Sequence, residues 1–431
     1  MEDEELFKIL LAWNPWYHEL DYGIERTYYV EQLLKFMRSN AILTITGVRR
    51  SGKSFIIRNI IRRLIENGIG KQKILYVNFD EHRLGRPSLE LLERIYVLYR
   101  SRINPKEKGF LFLDEIHKIT GWERFVRGLH ERGDAKFVVS GSTSSLLSEE
   151  YGTLLTGRHL DLKVFPLSFK EFLIFRKIVP PSTREEFLAR EEEMLFYLQD
   201  YLKTGGFPEV VLAPPEIGKR LLETYFRDII TRDIANRYGV KKSIAVLDIA
   251  QHLATSMAAL HSFNSIANAY ELSPDTVRRF FSYFENAGLF SFAEKFSYSL
   301  AKKKGSLKKA YIVDTGMAEA VGFNFSENTG RFMENAVHTE LLRKEYEISY
   351  WRDETGKEID FVAKKGKIIN ALIQVAYSLK DKNVKKRELG AFRIASEKMK
   401  CERKLIITWN ERSKTEDIRL IPLAEWLLFE A

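Results

Sequence analysis

The stretch TITGVRRSGKSF, Thr44 to Phe55, constrains this chain more than any other. AILTITG, Ala41 to Gly47, is short, rich in β-branched residues and ends at a glycine, the pattern of a buried strand. GVRRSGKS then fits the spacing GxxxxGK[ST], and FIIRNIIRRLIENG continues with apolar residues at helical intervals. Strand, glycine loop and helix in that order predict a phosphate cradle. Gly47 and Gly52 let backbone N–H groups wrap an anion, and the positive end of the helix dipole adds to the attraction. Lys53 is placed to reach β- and γ-phosphates and Ser54 to hold Mg²⁺, with Arg49, Arg50, Ser51 and Phe55 completing the binding segment. The expected ligands are ATP or ADP with Mg²⁺.

KILYVNFDE, Lys73 to Glu81, reads as a second strand, and GFLFLDEIHKI, Gly109 to Ile119, as an apolar strand ending in two acids. After a phosphate loop, that ending assigns Asp114 to Mg²⁺ through water and Glu115 to the attacking water. KFVVSGST, Lys136 to Thr143, is the next strand; Ser140 and Ser142 are candidates for a polar group near the γ-phosphate, with helix capping the alternative for Ser142. Alternating strands and helices predict an α/β fold with a parallel sheet and the site at the strands' C-terminal ends.

NPWY, GVRRSGKS, LDEIHKI, SGSTSSLL, TGRHLDLKVFPLSFKEFL and TGGFPEVV follow one another in order. That string resembles the AAA-type P-loop ATPases of archaea and bacteria that carry a C-terminal domain of unassigned role, and the resemblance covers nearly the whole chain. It implies a helical lid after the P-loop NTPase core. It also implies that GGFP is similar to the GxP element of signalling-type P-loop ATPases, which would put Pro208 on the adenine; a plain turn is the alternative. By the same resemblance Arg158 is a candidate arginine for the γ-phosphate, or else a surface residue. GIERTYYVEQL, around Gly23, is a candidate border of the base.

The second half predicts lid helices and then a helix-turn-helix in SFNSIANAYELSPDTVRRFFSYFENAGLFSF. One helix is expected over 265–270 and a second from Pro274, capped by Ser273 and stopped by Gly288, with a wing strand from Phe290. If this element reads DNA, Thr276, Arg278 and Arg279 face the groove and Lys302, Lys303, Lys304, Lys308 and Lys309 line the wing. The alternatives are a winged helix packed on its own core and a merely solvated lysine run. Farther on, RFMENAVHTELLRK and the strands after YWRDETGKEID resemble a restriction-endonuclease-like, PD-(D/E)xK fold. Glu334 and Asp360 match its acids, but Gln374, Val375 and Ala376 fill the E-x-K slot. Without that carboxylate and lysine, a fold retained without nuclease chemistry is the expectation. The basic stretch Lys380 to Arg387 suits DNA contact.

Composition narrows the rest. At 431 residues the chain is long enough for several domains, here divided as ATPase core 1–200, helical lid 201–260, winged helix 261–323 and nuclease-like domain 324–431. The formal net charge of +9 favours a polyanionic partner, duplex or branched DNA. One cysteine, Cys401, excludes a disulfide framework and suits a reducing, cytoplasmic setting. No apolar run approaches the ~20 residues of a membrane span, and the acidic, amphipathic MEDEELFKILLAW is unlike a secretory signal. The reading is an Mg²⁺-dependent ATPase coupled to DNA binding or remodelling. Its alternative is a slow nucleotide-operated switch with a protein partner. Assembly into a homo-oligomer is left open, and with it any arginine acting in trans.

Overall fold

The computed structural model describes residues 1–141, 158–299, 307–323, 329–415 and 417–430. The chain divides into two compact units, Met1–Val164 and Phe165–Ala431. Residues 165–200, read from the sequence as the end of the core, lie in the second unit.

The first unit is built on a five-stranded sheet in the order β2-β3-β4-β1-β5. Its strands are β1 (Ile42–Gly47), β2 (Ile74–Asn78), β3 (Gly109–Asp114), β4 (Ala135–Ser140) and β5 (His159–Val164). Every pairing is parallel. All six residues of β1 and of β4 are buried, as expected where helices cover both faces of a parallel sheet. The helix Lys53–Glu66 packs Ile56, Ile57, Ile60 and Ile61 against Leu43, Ile45 and Phe112 on one face. The helices Asp3–Trp13, Leu89–Arg102 and Trp122–Glu131 join the core on the other.

NPWY has a structural job here. β2 is an edge strand, and the Asn14 side chain pairs with it as a neighbouring strand would. Asn14 Nδ2 donates to Tyr76 O at 3.0 Å and Asn14 Oδ1 accepts from Tyr76 N at 2.7 Å. Trp16 Nε1 donates to Ile74 O at 2.6 Å. An edge that would otherwise template aggregation is thereby covered.

The second unit opens with helices, among them Phe169–Phe175, Glu191–Thr204, Pro208–Leu212, Pro215–Asp228 and Ser243–Thr255. The helices Phe263–Ala269 and Pro274–Asn286 follow, the second capped by Ser273 Oγ, which accepts from Thr276 N at 3.2 Å. A nine-stranded sheet in the order β13-β14-β12-β11-β10-β9-β7-β8-β6 spans the rest. It comprises β6 (Leu260–His261), β7 (Phe290–Lys295), β8 (Lys308–Ile312), β9 (Glu347–Arg352), β10 (Glu358–Lys365), β11 (Ile368–Val375), β12 (Lys404–Thr408), β13 (Ser413–Thr415) and β14 (Ile418–Pro422). The hairpin β7–β8 and the C-terminal strands form one sheet, because β7 pairs in parallel with β9 at Glu294–Ser349 and Lys295–Tyr350. The sequence offers no sign of this junction.

TGGFP is clamped within this unit. A Cβ on Gly205 would lie 2.0 Å from Asp314 Oδ1, one on Gly206 2.4 Å from Leu167 O, and one on Gly316 2.1 Å from Thr204 O. Asp314 Oδ2 accepts from Gly206 N at 2.6 Å and Oδ1 from Met317 N at 3.0 Å. Gly316→Ala forces backbone apart in a packed interior, so a loss of about 1–3 kcal/mol is expected in urea unfolding. Burial pushes the Asp314 carboxyl up to about 6 despite those hydrogen bonds. The folded state therefore holds this proton more tightly than the unfolded chain. The resulting stability is complete below the unfolded value near 3.8 and is lost as pH rises through about 6. Relative to Asp314→Asn, wild-type unfolding free energy should fall by about 2.4 kcal/mol between pH 4 and pH 7. A pH-independent difference would refute this.

Candidate nucleotide site

Parallel order sets the site. β4 lies between β1 and β3, so the C-terminal ends of the three strands stand side by side. The glycine loop leaves β1 at Gly47, where a Cβ would meet Val164 O at 2.3 Å and Ser51 Oγ at 3.2 Å. No larger residue fits. Arg50 (φ 68°) and Gly52 (φ 95°) turn the loop through left-handed backbone into the helix at Lys53. Buried Arg26 braces it, Nη1 donating to Ser51 O at 2.8 Å with the guanidinium 4.5 Å from the Tyr29 ring centre.

Lys53 is 5% exposed and its ammonium is folded onto the loop, donating to Gly47 O at 3.1 Å and Val48 O at 3.3 Å. Glu115 Oε1 lies 4.0 Å away. The hydroxyls of Thr46 and Ser51 are buried without a hydrogen-bond partner, an unusual cost that an incoming phosphate oxygen would relieve. Together with the ammonium of Lys53, these groups fit a polyphosphate. Ser54, half-buried on the first turn of the helix, and Asp114 supply the hydroxyl and carboxylate oxygens that Mg²⁺ favours.

Ser140, at the end of β4 and paired through its backbone with Ile45 of β1, fixes the acid pair. Its hydroxyl donates to Asp114 Oδ1 and accepts from Glu115 N at 3.1 Å. Tyr76 OH donates to the other Asp114 oxygen at 3.1 Å, and burial beside that carboxylate raises the phenol well above its usual value. Glu115 has φ 56°, a left-handed conformation costly for a residue with a Cβ; the Ser140 bond helps hold it. Neither Tyr76 nor Arg26 was singled out from the sequence, because each acts through a contact distant along the chain.

The remaining candidates separate. Ser142 lies outside the described residues. Arg49 is half-buried and Arg50 exposed on the loop. Phe55 is 39% exposed, its ring against Gly23, whose Cβ would be 2.7 Å away, and under Arg58 at 4.5 Å. Asn59 Nδ2 donates to Tyr22 O at 3.0 Å and Glu25 pairs with Arg62 and Arg63, so the segment 21–26 is fastened along the loop's helix. Arg158 is not brought to the loop of its own chain. It precedes β5 at the opposite end of the sheet, its carbonyl accepting from Ile42 N at 2.8 Å and its guanidinium paired with Glu131. Pro208 is the first residue of the helix Pro208–Leu212 in the second unit, where the close approach of Asp314 and Leu167 accounts for the adjoining glycines without a base.

Residues 39–173 match the family model of an AAA domain; 195–328 and 329–426 match two domains of unknown function, DUF8612 and DUF4143. An uncharacterized protein of Haemophilus influenzae is 31% identical over 417 residues, 94% of this chain and 98% of that protein. One from Methanocaldococcus jannaschii is 33% identical over 409 residues, 90% and 88% of the two. The chain belongs to this family of AAA-type P-loop ATPases. Among solved structures, the Walker-type ATPase of Pyrococcus abyssi is similar with a TM-score of 0.45 and 12% identity, over 69% of this chain and 96% of that one.

In the second unit, the two described lysines of the expected wing, Lys308 and Lys309, are both engaged by acids. Lys302, Lys303 and Lys304 lie outside the described residues. Lys308 pairs with Glu294. Lys309 is 4% exposed and turned inward, which corrects its reading as a phosphate contact. Its ammonium meets Glu334 at 2.7 Å and Glu358 and Asp360 at 2.8 Å. Burial works against that charge, but the pull of Asp360 and its neighbours holds Lys309 well above the lysine range. Arg278 and Arg279 do remain exposed on the helix Pro274–Asn286, tied to Asp275 and Thr276 on the same helix. Among the described residues no helix is long and apolar enough to cross a membrane.

Ser140→Ala removes the hydroxyl between Asp114 and the strained Glu115. ATP turnover should drop about tenfold or more, the order of one catalytic-site hydrogen bond, while nucleotide affinity measured by fluorescent-analogue titration stays within about twofold. Unchanged turnover would show that Ser140 positions nothing.

Proposed function

We propose that this chain is an Mg²⁺-dependent ATPase that couples hydrolysis to binding or remodelling of DNA. The observation that carries the ATPase part is that the Gly47–Phe55 loop leaves the C-terminal end of β1 while Asp114 and Glu115 stand at the C-terminal end of β3, with only β4 between, whose Ser140 holds both acids. The loop amides cradle the phosphates, and Lys53 leaves its two carbonyl partners for the β- and γ-phosphate oxygens. Mg²⁺ held by Ser54 and Asp114 would supply neutralisation of charge on those oxygens. Glu115 orients the attacking water and accepts its proton. Arg49, Arg50 and Phe55 border the nucleotide, Ser142 its γ-phosphate and Pro208 its adenine. Arg158 does not reach its own chain's loop, so a part in γ-phosphate stabilisation is open to it only in trans, in a homo-oligomer; the alternative is a surface residue paired with Glu131.

Three features support the DNA part. The net charge is +9. Exposed Arg278 and Arg279 lie on the second helix of a helix-turn-helix pattern, and exposed Lys382, Lys385 and Lys386 on the helix Lys382–Lys398. Phosphate contacts of this kind bind in a salt-dependent way and respond to charge removal.

Lys53→Ala should abolish measurable ATP binding and turnover, whereas Glu115→Gln should keep affinity and slow turnover by about 10²-fold or more. Gel shifts with duplex and branched DNA across salt concentrations, with and without ATP, test the partner. Arg278→Ala with Arg279→Ala should flatten the salt dependence by about one unit of slope per lost contact. Absence of salt-sensitive binding in every nucleotide state would exclude DNA. Retained ADP with turnover indifferent to DNA would favour a switch acting on a protein.

A further inference from the structure

A cavity lies between the C-terminal sheet and the helices Thr329–Arg343 and Leu423–Phe429. Its origin is a pair of small side chains. In the β10–β11 register Phe361 stands opposite Ile373, and the next pair on the same face is Ala363 opposite Ala371. Two methyl groups do not fill the gap, and about 100 Å³ is left, enough for a small molecule rather than a single water. Leu341, Ile373 and Trp426 complete an apolar lining. The polar lining is mostly cationic: Lys344 follows the first helix, Lys365 ends β10 and Arg403 precedes β12. Lys365 is exposed, its ammonium 4.7 Å from the Tyr346 ring centre, and no acid pairs with it among the described residues. Glu430 adds a carboxylate, shared by Arg403 at 3.2 Å, Arg419 at 2.7 Å and Arg184, the last two of which also approach Glu425. Trp426 is 2% exposed, and its indole N–H is buried without a hydrogen-bond partner, a cost that folded interiors seldom leave standing.

We propose that this cavity binds a small phosphomonoester. Its anionic head is held by Lys344, Lys365 and Arg403, and a short apolar body rests on Ala363 and Ala371. Three cations against one shared carboxylate leave an excess that suits a dianionic head better than a monocarboxylate. The guanidinium of Arg403 offers a planar fork to phosphate oxygens, while the two ammonium groups act as point charges. An oxyanion seated beside Trp426 gives the indole N–H the acceptor it lacks. The cavity lies toward the β10–β11 turn, whereas Asp360 and the Lys309 it holds stand at the start of β10, so the site is separate from that buried charge cluster. It is equally independent of the nucleotide loop, because all its residues belong to the second unit. Trp426 comes from the helix Leu423–Phe429 and the alanine pair from the sheet, so a bound ligand bridges the two layers and stabilises the fold.

The test uses the full chain labelled with 5-fluorotryptophan and followed by fluorine NMR. Of the six tryptophans, Trp426 is identified as the signal missing from Trp426→Phe. Inorganic phosphate, n-propyl phosphate and butyrate are the probes. n-Propyl phosphate should move the Trp426 signal saturably and bind about fourfold or more tighter than inorganic phosphate, the gain from one buried methylene. Butyrate should bind about tenfold or more weaker than n-propyl phosphate, the order of one lost charge-assisted hydrogen bond. Ala371→Leu, which fills the floor, should abolish the shift. Lys365→Gln changes an exposed side chain and should weaken n-propyl phosphate about threefold or more at low salt, so it decides the matter should Ala371→Leu fail to fold. The proposal is overturned if n-propyl phosphate leaves the Trp426 signal in place, or if Lys365→Gln binds it as the wild type does. It is equally overturned if butyrate binds as tightly as n-propyl phosphate.

Discussion

The hydroxyl of Ser140 is the contact on which the candidate site depends. It donates to Asp114 and accepts from the Glu115 amide, so one side chain of β4 sets a carboxylate and a strained backbone turn beside the loop that follows β1. This works only because β4 is inserted between β1 and β3. The two motifs belong to strands that are not neighbours, and Ser140 lies on the strand between them, its backbone paired with β1 and its hydroxyl with the acids of β3. Preorganisation of this kind lets the acids meet a nucleotide without first rearranging.

The second unit is organised by buried charge. Asp314 is held by backbone amides of Gly206 and Met317, drawing the TGGFP turn and the VDTG turn into contact. Lys309 joins β8 to β10 and to the helix above through three acids. Removing the Lys309 charge would strand three carboxylates in a low-dielectric interior, so its ammonium specifies one arrangement rather than adding much net stability. The hairpin and the C-terminal α/β layer consequently share one sheet.

Much of the first unit was legible in the sequence. Strands at Ala41–Gly47, Lys73–Glu81, Gly109–Ile119 and Lys136–Thr143 follow from apolar runs ending in glycine, acids or hydroxyls; the first three contain β1, β2 and β3, and the fourth overlaps β4, which starts one residue earlier at Ala135. The Ser273 cap and Pro274 start are local effects, and they too could be read directly. Lys309 was misread for an equally physical reason. In a run of lysines nothing local distinguishes one that faces solvent from one that faces three acids 25 to 51 residues later in the chain. Tyr76, Arg26 and Asn14 were illegible on the same ground, since their partners lie 38, 25 and 62 positions away.

By itself, then, the sequence determined the local chemistry: a glycine loop that leaves backbone amides free, a lysine and serine at the head of a helix, and an acid pair at a strand end. Those are properties of adjacent residues, set by backbone freedom, side-chain periodicity and capping. The tertiary structure decided which charges meet. It brought Ser140 between the two motifs, set Arg158 at the sheet's opposite end and buried Lys309 among carboxylates. Such outcomes depend on strand order and long-range burial, because the strength of an ionic contact follows from distance and dielectric in space, not from separation along the chain.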